Sequence, residues 1–228
     1  MQFPLLTTTA LLTCLSALVS AAPTATRSVP QVKCSPFHTG TLVAVNSSGT
    51  ALNAAFEGSI NQEGQELLDL GYFGSTAPAT SFSFLACTSN YTGWQPTLGV
   101  NSRTFYGHLT LSSNQSTCVT ASPFPYKAYY TGPVRANCSS ADDSSQLAQT
   151  WSITEAKYYN PFRIEYQLSF IGKRQSDPAT DEKYIFFGEY AAERRESSFV
   201  PFIDYASPSS ITNNTVYDGA PVLNFRLD

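Results

Sequence analysis

Carboxylate pairs are the residues of this sequence that could most directly carry out a reaction. A glycoside hydrolase needs two carboxyl groups at a defined separation, one of which protonates the leaving group. The pairs Glu165/Glu189 and Asp204/Asp218 supply those residue types. Because the chain has seventeen acidic residues, many such pairs arise without any catalytic role. An unrecognised secreted glycoside hydrolase is therefore an alternative and not the leading interpretation.

Histidine is the second residue type that could do chemistry, and the sequence has two, His38 and His108. They permit a Ser-His-Asp site in principle, but no G-x-S-x-G, H-E-x-x-H or phosphate-binding motif accompanies them. A zinc site is not expected, because the histidines are far apart in sequence and no C-x-x-C pair occurs. We interpret both histidines as ordinary strand-edge residues and expect no catalytic centre, metal or cofactor.

The first part of the chain indicates export. Residues Met1–Ala21 read as a secretory signal peptide, with an apolar run over Leu5–Val19 and small residues at Val19-Ser20-Ala21 for cleavage. The segment departs from the usual pattern in having no Lys or Arg before the apolar run. Sequons for N-glycosylation are typical of a secreted surface protein. Five of them occur, at Asn46, Asn90, Asn114, Asn137 and Asn213. The sequence thus predicts a secreted glycoprotein.

The charge balance limits the classes of partner. Thirteen basic residues stand against seventeen acidic ones, which gives a net charge of −4. An acidic chain with few charges argues against a nucleic-acid or anionic-membrane partner. After the signal segment no apolar stretch approaches the roughly 20 residues that span a bilayer, so we expect no membrane span.

The number of cysteines also indicates a secreted protein. Four remain after the signal segment, and an even number in a secreted chain predicts two disulfides. The cysteine count alone leaves all three connectivities open. The four residues are Cys34, Cys87, Cys118 and Cys138.

Short alternating apolar runs, separated by Gly, Pro, Asn and Ser, favour an all-β sandwich or barrel. Only Gln62–Leu70 and Tyr190–Ser197 have the pattern of short helices. The Thr/Pro/Ala-rich segment 22–33 is expected to be a flexible leader, and 34–228 to form one domain. The predicted strands are Thr41–Asn46, Ser81–Cys87, His108–Ser112, Thr117–Ser122, Pro133–Cys138, Gln149–Thr154, Ile164–Phe170, Lys183–Tyr190, Phe199–Tyr205 and Pro221–Leu227.

A weak internal repeat organises these strands. Gly40-Thr41-Leu42 and Gly107-His108-Leu109 open two segments in the same way. The segments close on aromatic residues at Phe84 and Trp151, and a third closes at Phe225. Three copies of a four-strand unit predict twelve short strands in three pseudo-repeats.

Residues 107–154 carry a resemblance to a known family. They contain Gly107-x-Leu109, then Cys118-Val119, then Cys138, and finally Gln149-Thr150-Trp151. This order resembles one repeat of the ricin-B-type β-trefoil lectins, whose signature is Q-x-W. The resemblance implies a six-stranded barrel capped by three hairpins, with the closing aromatic residues Phe84, Trp151 and Phe225 buried in a shared core.

The resemblance also implies a disulfide pairing. In a trefoil unit the second and third strands form a hairpin, so the start of one faces the end of the other. That arrangement pairs Cys118 with Cys138. The first and fourth strands run antiparallel in the barrel, which pairs Cys34 with Cys87.

Lectins of this family use an Asp after the second-strand Cys, an aromatic platform and an Asn before Q-x-W. Here Thr120 and Ala148 occupy the Asp and Asn positions of the best-matching repeat, while Asn53 occupies the Asp position of the first. Carboxylate and amide groups bind sugar hydroxyls, and an aromatic face covers the apolar face of the ring. The platform is predicted in the loop between Cys118 and Cys138. The expected sugar-binding residues are Tyr126, Tyr129, Tyr130 and Asn53.

Weak glycan binding is therefore the leading expectation for function. The alternatives are a protein-binding trefoil, such as a hydrolase inhibitor that works through exposed loops, and the glycoside hydrolase already considered. An exposed apolar loop serves a protein partner as well as a sugar, so the tyrosine loop alone does not separate the first two.

Overall fold

The computed structural model describes residues 28–61, 63–72, 75–122, 130–177, 183–191, 198–206, 215–216 and 220–228. This part of the chain is all-β and has one short 3-10 helix, Ser144–Ala148. None of the helices found in these ranges is long and apolar enough to cross a membrane. The strands are β1 (Lys33–Asn46), β2 (Ala51–Asn53), β3 (Ala55–Ile60), β4 (Glu66–Asp69), β5 (Gly71–Tyr72), β6 (Ser75–Thr76), β7 (Ser81–Thr88), β8 (Thr97–Leu98), β9 (Ser102–Leu111), β10 (Asn114–Ala121), β11 (Tyr130–Thr131), β12 (Pro133–Asn137), β13 (Trp151–Tyr159), β14 (Phe162–Phe170), β15 (Lys183–Ala191), β16 (Ser198–Ala206), β17 (Thr215–Val216) and β18 (Ala220–Leu227).

Six of these strands form a closed ring. β1 pairs with β7, β7 with β9, β9 with β13, β13 with β14, β14 with β18, and β18 with β1, always antiparallel. The ring is strongly staggered. We moved from Ala44 to its ladder partner on the next strand, and so on around the six strands. This path returns to β1 near Lys33, about eleven residues from the start. Side chains that alternate along each strand therefore point either into the ring or away from it.

Three hairpins project from the ring. They are β3–β4, β10–β12 and β15–β16, and each contacts the other two. β12 pairs with β4, β11 with β16, and β16 with β5. All three leave the ring at the end where β1 finishes and β7 begins. The opposite end, where β1 begins and β13 finishes, is called the open end here.

The predicted core aromatic residues are buried as expected. Phe84, Trp151 and Phe225 are at most 2% exposed. The indole Nε1 of Trp151 donates a hydrogen bond to the Val119 carbonyl at 2.8 Å, and its ring stacks on Phe186 with centroids 5.5 Å apart. Burial of the aromatic faces, together with a partner for the one polar atom, makes Trp151 a central part of the core.

Both disulfides of the expected pairing are present. Cys34 faces Cys87 in the β1–β7 ladder, with Cα atoms 4.0 Å apart. Cys118 in β10 is bonded to Cys138, which follows β12 directly, with Cα atoms 5.0 Å apart. Two disulfides are consistent with an extracellular protein.

The glycines that open the two repeats occupy equivalent tight positions. A Cβ at Gly107 would lie 1.9 Å from the Leu85 carbonyl oxygen, and one at Gly40 would lie 2.3 Å from the Asp228 carbonyl oxygen. In both cases the neighbouring strand backbone comes too close for any side chain. The repeated glycine therefore has the same structural cause in each segment.

Three expectations need correction. Residues 66–69, inside a predicted helix, form β4, because Leu67 and Leu68 are both buried against neighbouring strands. Tyr190, at the start of the other predicted helix, lies in β15, while 192–197 lie outside the described residues. The segment expected to be a flexible leader is hydrogen-bonded over its last residues, since the amide of Val32 donates to the Ser140 carbonyl at 2.9 Å.

The structure also divides the chain into more than twelve strands, since fragments such as β2 and β3 are counted separately.

Candidate functional site

The interpretation of the histidines as strand-edge residues is wrong. His108 lies within β9 and is 4% exposed, and His38 lies within β1 and is half-buried. The Nε2 atom of His108 is hydrogen-bonded to Gln146 Oε1 at 2.7 Å. Because Gly107 and Leu109 face the ring interior, His108 faces outward, where the 3-10 helix covers it. Both residues therefore have structured surroundings.

A small pocket lies over His108. Its walls include the stacked rings of Trp94 and Tyr106, whose centroids are 4.8 Å apart, together with Gln146 and Thr150. The space at its centre is the size of about one water molecule. We interpret it as a solvated packing defect, because no sugar ring or peptide side chain fits there.

We expect His108 to make stability depend on pH. Burial lowers the pKa of His108 below its ordinary value, and the hydrogen bond to Gln146 only partly opposes this. The unfolded chain then binds the proton at higher pH than the folded chain. The contribution is therefore fully present above about pH 6.5 and is lost as the pH falls towards the folded pKa.

The check is urea unfolding at about pH 7.5 and about pH 5.5, which lie on either side of the ordinary pKa of histidine. His108→Gln should lose less stability than the wild type across that window. The pKa of His38 is also lowered by burial, so His38→Gln serves as the matched variant and a residual slope remains in each. An unchanged slope in His108→Gln would contradict the assignment.

A second group of polar side chains lies at the open end of the barrel. Trp151 and Ile153 are buried in the core, so Glu155 and Lys157 continue the same inward-facing row of β13. Arg103 faces them from β9, since β9 and β13 are paired there. We call this group the mouth cluster, and it consists of His38, Arg103, Glu155, Lys157 and Tyr166.

The mouth cluster combines a buried carboxylate with two exposed cations. The side chain of Glu155 is 5% exposed and accepts a bond from Arg103 at 2.5 Å, with Lys157 Nζ at 3.5 Å. The hydrogen bond from Arg103 keeps the pKa of Glu155 below its ordinary value, although burial acts in the opposite direction. Arg103 and Lys157 are 46% and 37% exposed. Two solvent-facing cations thus share one buried carboxylate, and the cluster carries one net positive charge.

His38 is held in the mouth cluster by an aromatic contact, since its ring stacks on Tyr166 with centroids 3.6 Å apart. The Nε2 atom is buried and has no hydrogen-bond partner within the described ranges. This atom therefore lies below the accessible surface of the barrel mouth. Burial lowers the pKa of His38, so the ring is neutral at neutral pH.

Exposed apolar side chains surround the mouth cluster. Val100, Tyr159 and Phe162 are 98%, 64% and 65% exposed. Leu98 lies opposite Arg103 in the β8–β9 ladder, and Ile164 lies opposite Lys157 in the β13–β14 ladder. Apart from Val29, these residues and Tyr158 are the exposed large apolar side chains in the part of the chain that the structure describes. We call the following five residues the apolar rim: Leu98, Val100, Tyr159, Phe162 and Ile164.

The mouth cluster and the apolar rim together form the barrel mouth. Phe37 closes the barrel beneath it, packing on Phe105 at 4.4 Å and on Tyr166 at 6.3 Å between centroids. The barrel mouth is therefore a shallow surface with aromatic faces and two accessible cations above a buried carboxylate. Such a combination suits a ligand that has both apolar faces and polar groups.

Only some of the predicted sugar-binding residues lie in the described part of the chain. Tyr126 and Tyr129 lie outside the described residues, and Tyr130 begins β11. Asn53 Nδ2 donates to the Ala77 carbonyl at 3.2 Å. Thr120 is buried, and its hydroxyl donates to the Val134 carbonyl at 3.3 Å. The structure does not bring Asn53 and the tyrosine loop together as a described site, and their role stays a prediction.

The predicted acid pairs are only partly described. Glu165 forms an ion pair with Arg163 at 2.8 Å. Glu189 and Asp204 lie in β15 and β16, whereas Asp218 lies outside the described residues. Neither pair is described completely enough to support a catalytic geometry.

Sequence reasoning missed the mouth cluster, although one signal was present. Gln149–Thr154 was predicted as a strand, and its inward row of Trp151 and Ile153 continues to Glu155. A charged residue on an apolar face requires a partner or a function. The partner, Arg103, is 52 residues away in sequence, so only the ring topology reveals it.

Comparison with known proteins assigns no role to the barrel mouth, which is therefore interpreted from its own residues. No protein-family model matches the chain, and no curated protein matches it either. The function is therefore inferred from the ring, the hairpins and the barrel mouth.

Proposed function

We propose that this protein is a secreted, non-catalytic carbohydrate-binding protein with a β-trefoil fold of the ricin-B type. The closed six-strand ring supports the fold, as do three hairpins that contact one another. Equivalent tight positions at Gly40 and Gly107, and the buried Trp151 of the Q-x-W motif, support the repeat. The predicted export signal and sequons support secretion and glycosylation.

The observation that carries the sugar-binding proposal is the aromatic part of the apolar rim beside the mouth cluster. Tyr159 and Phe162 are paired across the β13–β14 hairpin, with ring centroids 6.0 Å apart. Their exposed faces suit the apolar C–H face of a sugar ring, while the exposed guanidinium of Arg103 offers donors for hydroxyls. Sugar is thus bound at the open end of the barrel.

The tyrosine loop of the Cys118–Cys138 hairpin is the second location for the same function. The side chain of Thr120 is committed to the Val134 carbonyl. It therefore does not replace the carboxylate of the family pattern. Few charge-assisted hydrogen bonds to hydroxyls imply dissociation constants nearer millimolar than micromolar at either location.

A glycan array on glycosidase-treated protein, followed by calorimetric titration, tests the proposal. We expect the double variant Tyr159→Ala/Phe162→Ala to weaken binding about tenfold or more, because both stacking faces are lost. Tyr158→Ala is the matched control, since Tyr158 lies next to Tyr159 and its ring contacts the Arg163 guanidinium at 4.5 Å. Unchanged thermal unfolding confirms that the variants fold.

Two outcomes would contradict the proposed location of the site or the proposed function. The site would lie in the tyrosine loop if the triple alanine variant of Tyr126, Tyr129 and Tyr130 lost binding while Tyr159→Ala/Phe162→Ala kept it. Absence of any glycan binding by the wild type would contradict carbohydrate recognition.

A protein-binding trefoil is the second candidate function, and the aliphatic part of the apolar rim favours it. Leu98 and Val100 are 73% and 98% exposed, and such side chains contribute to protein contacts without stacking on sugars. Leu98→Ser/Val100→Ser should weaken sugar binding much less than Tyr159→Ala/Phe162→Ala does, because neither side chain offers a stacking face. If that variant instead loses inhibition of a protease or glycosidase in an enzyme panel, the protein-binding function replaces the first.

A further inference from the structure

We propose that the barrel mouth selects acidic sugars, with the ligand carboxylate bound by Arg103 and Lys157. This inference rests on the proposed carbohydrate binding and adds the chemical class of the ligand. It depends on two features of the barrel mouth: its charge, and the positions of its cations beside apolar side chains.

The charge of the mouth cluster is opposite to that of the molecule. The chain has a net charge of −4, yet Arg103 and Lys157 share the single carboxylate of Glu155. The carboxylate is nearly inaccessible, while both cationic side chains remain more than one third exposed. A ligand approaching from solvent therefore meets the cations first, and Glu155 holds them in place from below. Charge-assisted contacts of a guanidinium with a carboxylate are shorter and stronger than neutral hydrogen bonds.

The cations lie beside apolar groups in register. Leu98 faces Arg103 across the β8–β9 ladder, and Ile164 faces Lys157 across the β13–β14 ladder. The amide of Lys157 donates to the Asn101 carbonyl at 2.9 Å, which fixes the turn containing Val100 against β13. A uronic or sialic acid has an apolar ring face with a carboxylate at its edge. The arrangement of the barrel mouth matches both parts of such a sugar.

The test compares acidic sugars with uncharged partners. Trigalacturonic acid is titrated against its methyl ester, and sialyllactose against lactose, by calorimetry. We expect the wild type to bind each acid about tenfold or more tightly than its neutral partner at about 20 mM salt. The preference should shrink at about 500 mM salt, because screening weakens exposed charge pairs.

Variants assign the preference to the proposed residues. Arg103→Gln/Lys157→Gln should bring the acid-to-neutral ratio close to one, because both cations are removed, while neutral sugars lose less affinity because glutamine still donates hydrogen bonds. Arg135→Gln is the matched control, because Arg135 is equally exposed and pairs with Glu66 in another part of the molecule.

The outcomes separate this inference from the proposed function. Equal binding of acids and neutral sugars by the wild type would overturn the acidic preference and leave carbohydrate binding intact. A preference that survives in the double variant would also overturn it. Absence of binding to every sugar would remove both proposals. Binding of an acidic peptide as tight as that of the acids would show a charge interaction without sugar recognition, which also refutes the inference.

Discussion

Replacing Trp151 with alanine is expected to lower the free energy of unfolding by about 3–5 kcal/mol. The side chain is 1% exposed, packs against Phe170 and Phe186, and donates its only polar hydrogen to the Val119 carbonyl. Truncation leaves a cavity among side chains from several barrel and hairpin strands and removes the indole hydrogen bond. Urea unfolding with an unchanged m-value would measure the loss.

Two variants show whether the cause is packing. Trp151→Phe keeps most of the ring contact and loses the hydrogen bond, so its cost should be closer to about 1 kcal/mol plus a small cavity term. Tyr159→Ala, at an exposed aromatic position, should stay within about 0.5 kcal/mol of the wild type. A loss below about 1 kcal/mol in Trp151→Ala would show that the barrel core does not depend on this residue.

Removing the Cys34–Cys87 bridge should have an effect of similar size. The two cysteines are 53 residues apart in sequence, and closing a loop of that length in the unfolded chain is worth about 4 kcal/mol in the chain-entropy model. The double variant Cys34→Ala/Cys87→Ala avoids a free thiol, and Cys34 is exposed, so little core packing is lost with it. Unfolding under non-reducing conditions gives the measurement.

The second bridge provides a comparison. Cys118 and Cys138 are 20 residues apart, which corresponds to about 3 kcal/mol in the same model. Cys118 is fully buried, so the alanine variant of this pair also loses core contacts. The Cys34–Cys87 variant is therefore the cleaner measure of loop closure. A loss well under about 1 kcal/mol there would mean that strand pairing already restricts the unfolded chain.

The strands of the fold were predictable from local pattern, because alternation of apolar and polar residues is a period-two signal. The exceptions have a physical cause. Two consecutive buried leucines, Leu67 and Leu68, fit a helix face as well as a strand buried on both sides. Tertiary contacts with β3 and β12, which no local window contains, decide the outcome.

The candidate site was much less predictable. Each member of the mouth cluster is unremarkable in its own stretch of sequence, and Glu155 gains its meaning only from Arg103 in another strand. His38 was assigned to a strand edge because a sequence does not show which residues stack on it; the structure places Tyr166 there. The core aromatic residues were easier, since burial of large aromatic side chains is the default in a β barrel.

Closure of the ring by its first and last strands has a consequence for biosynthesis. β18 pairs with β1 and β14, and the Thr41 amide donates to the Asp228 carbonyl at 2.8 Å. A growing chain that has not yet reached 220–227 therefore carries two unpaired strand edges and an uncovered apolar interior. Unpaired edges are where chains associate with one another. The nascent protein thus passes through an association-prone interval that ends only when the final strand emerges.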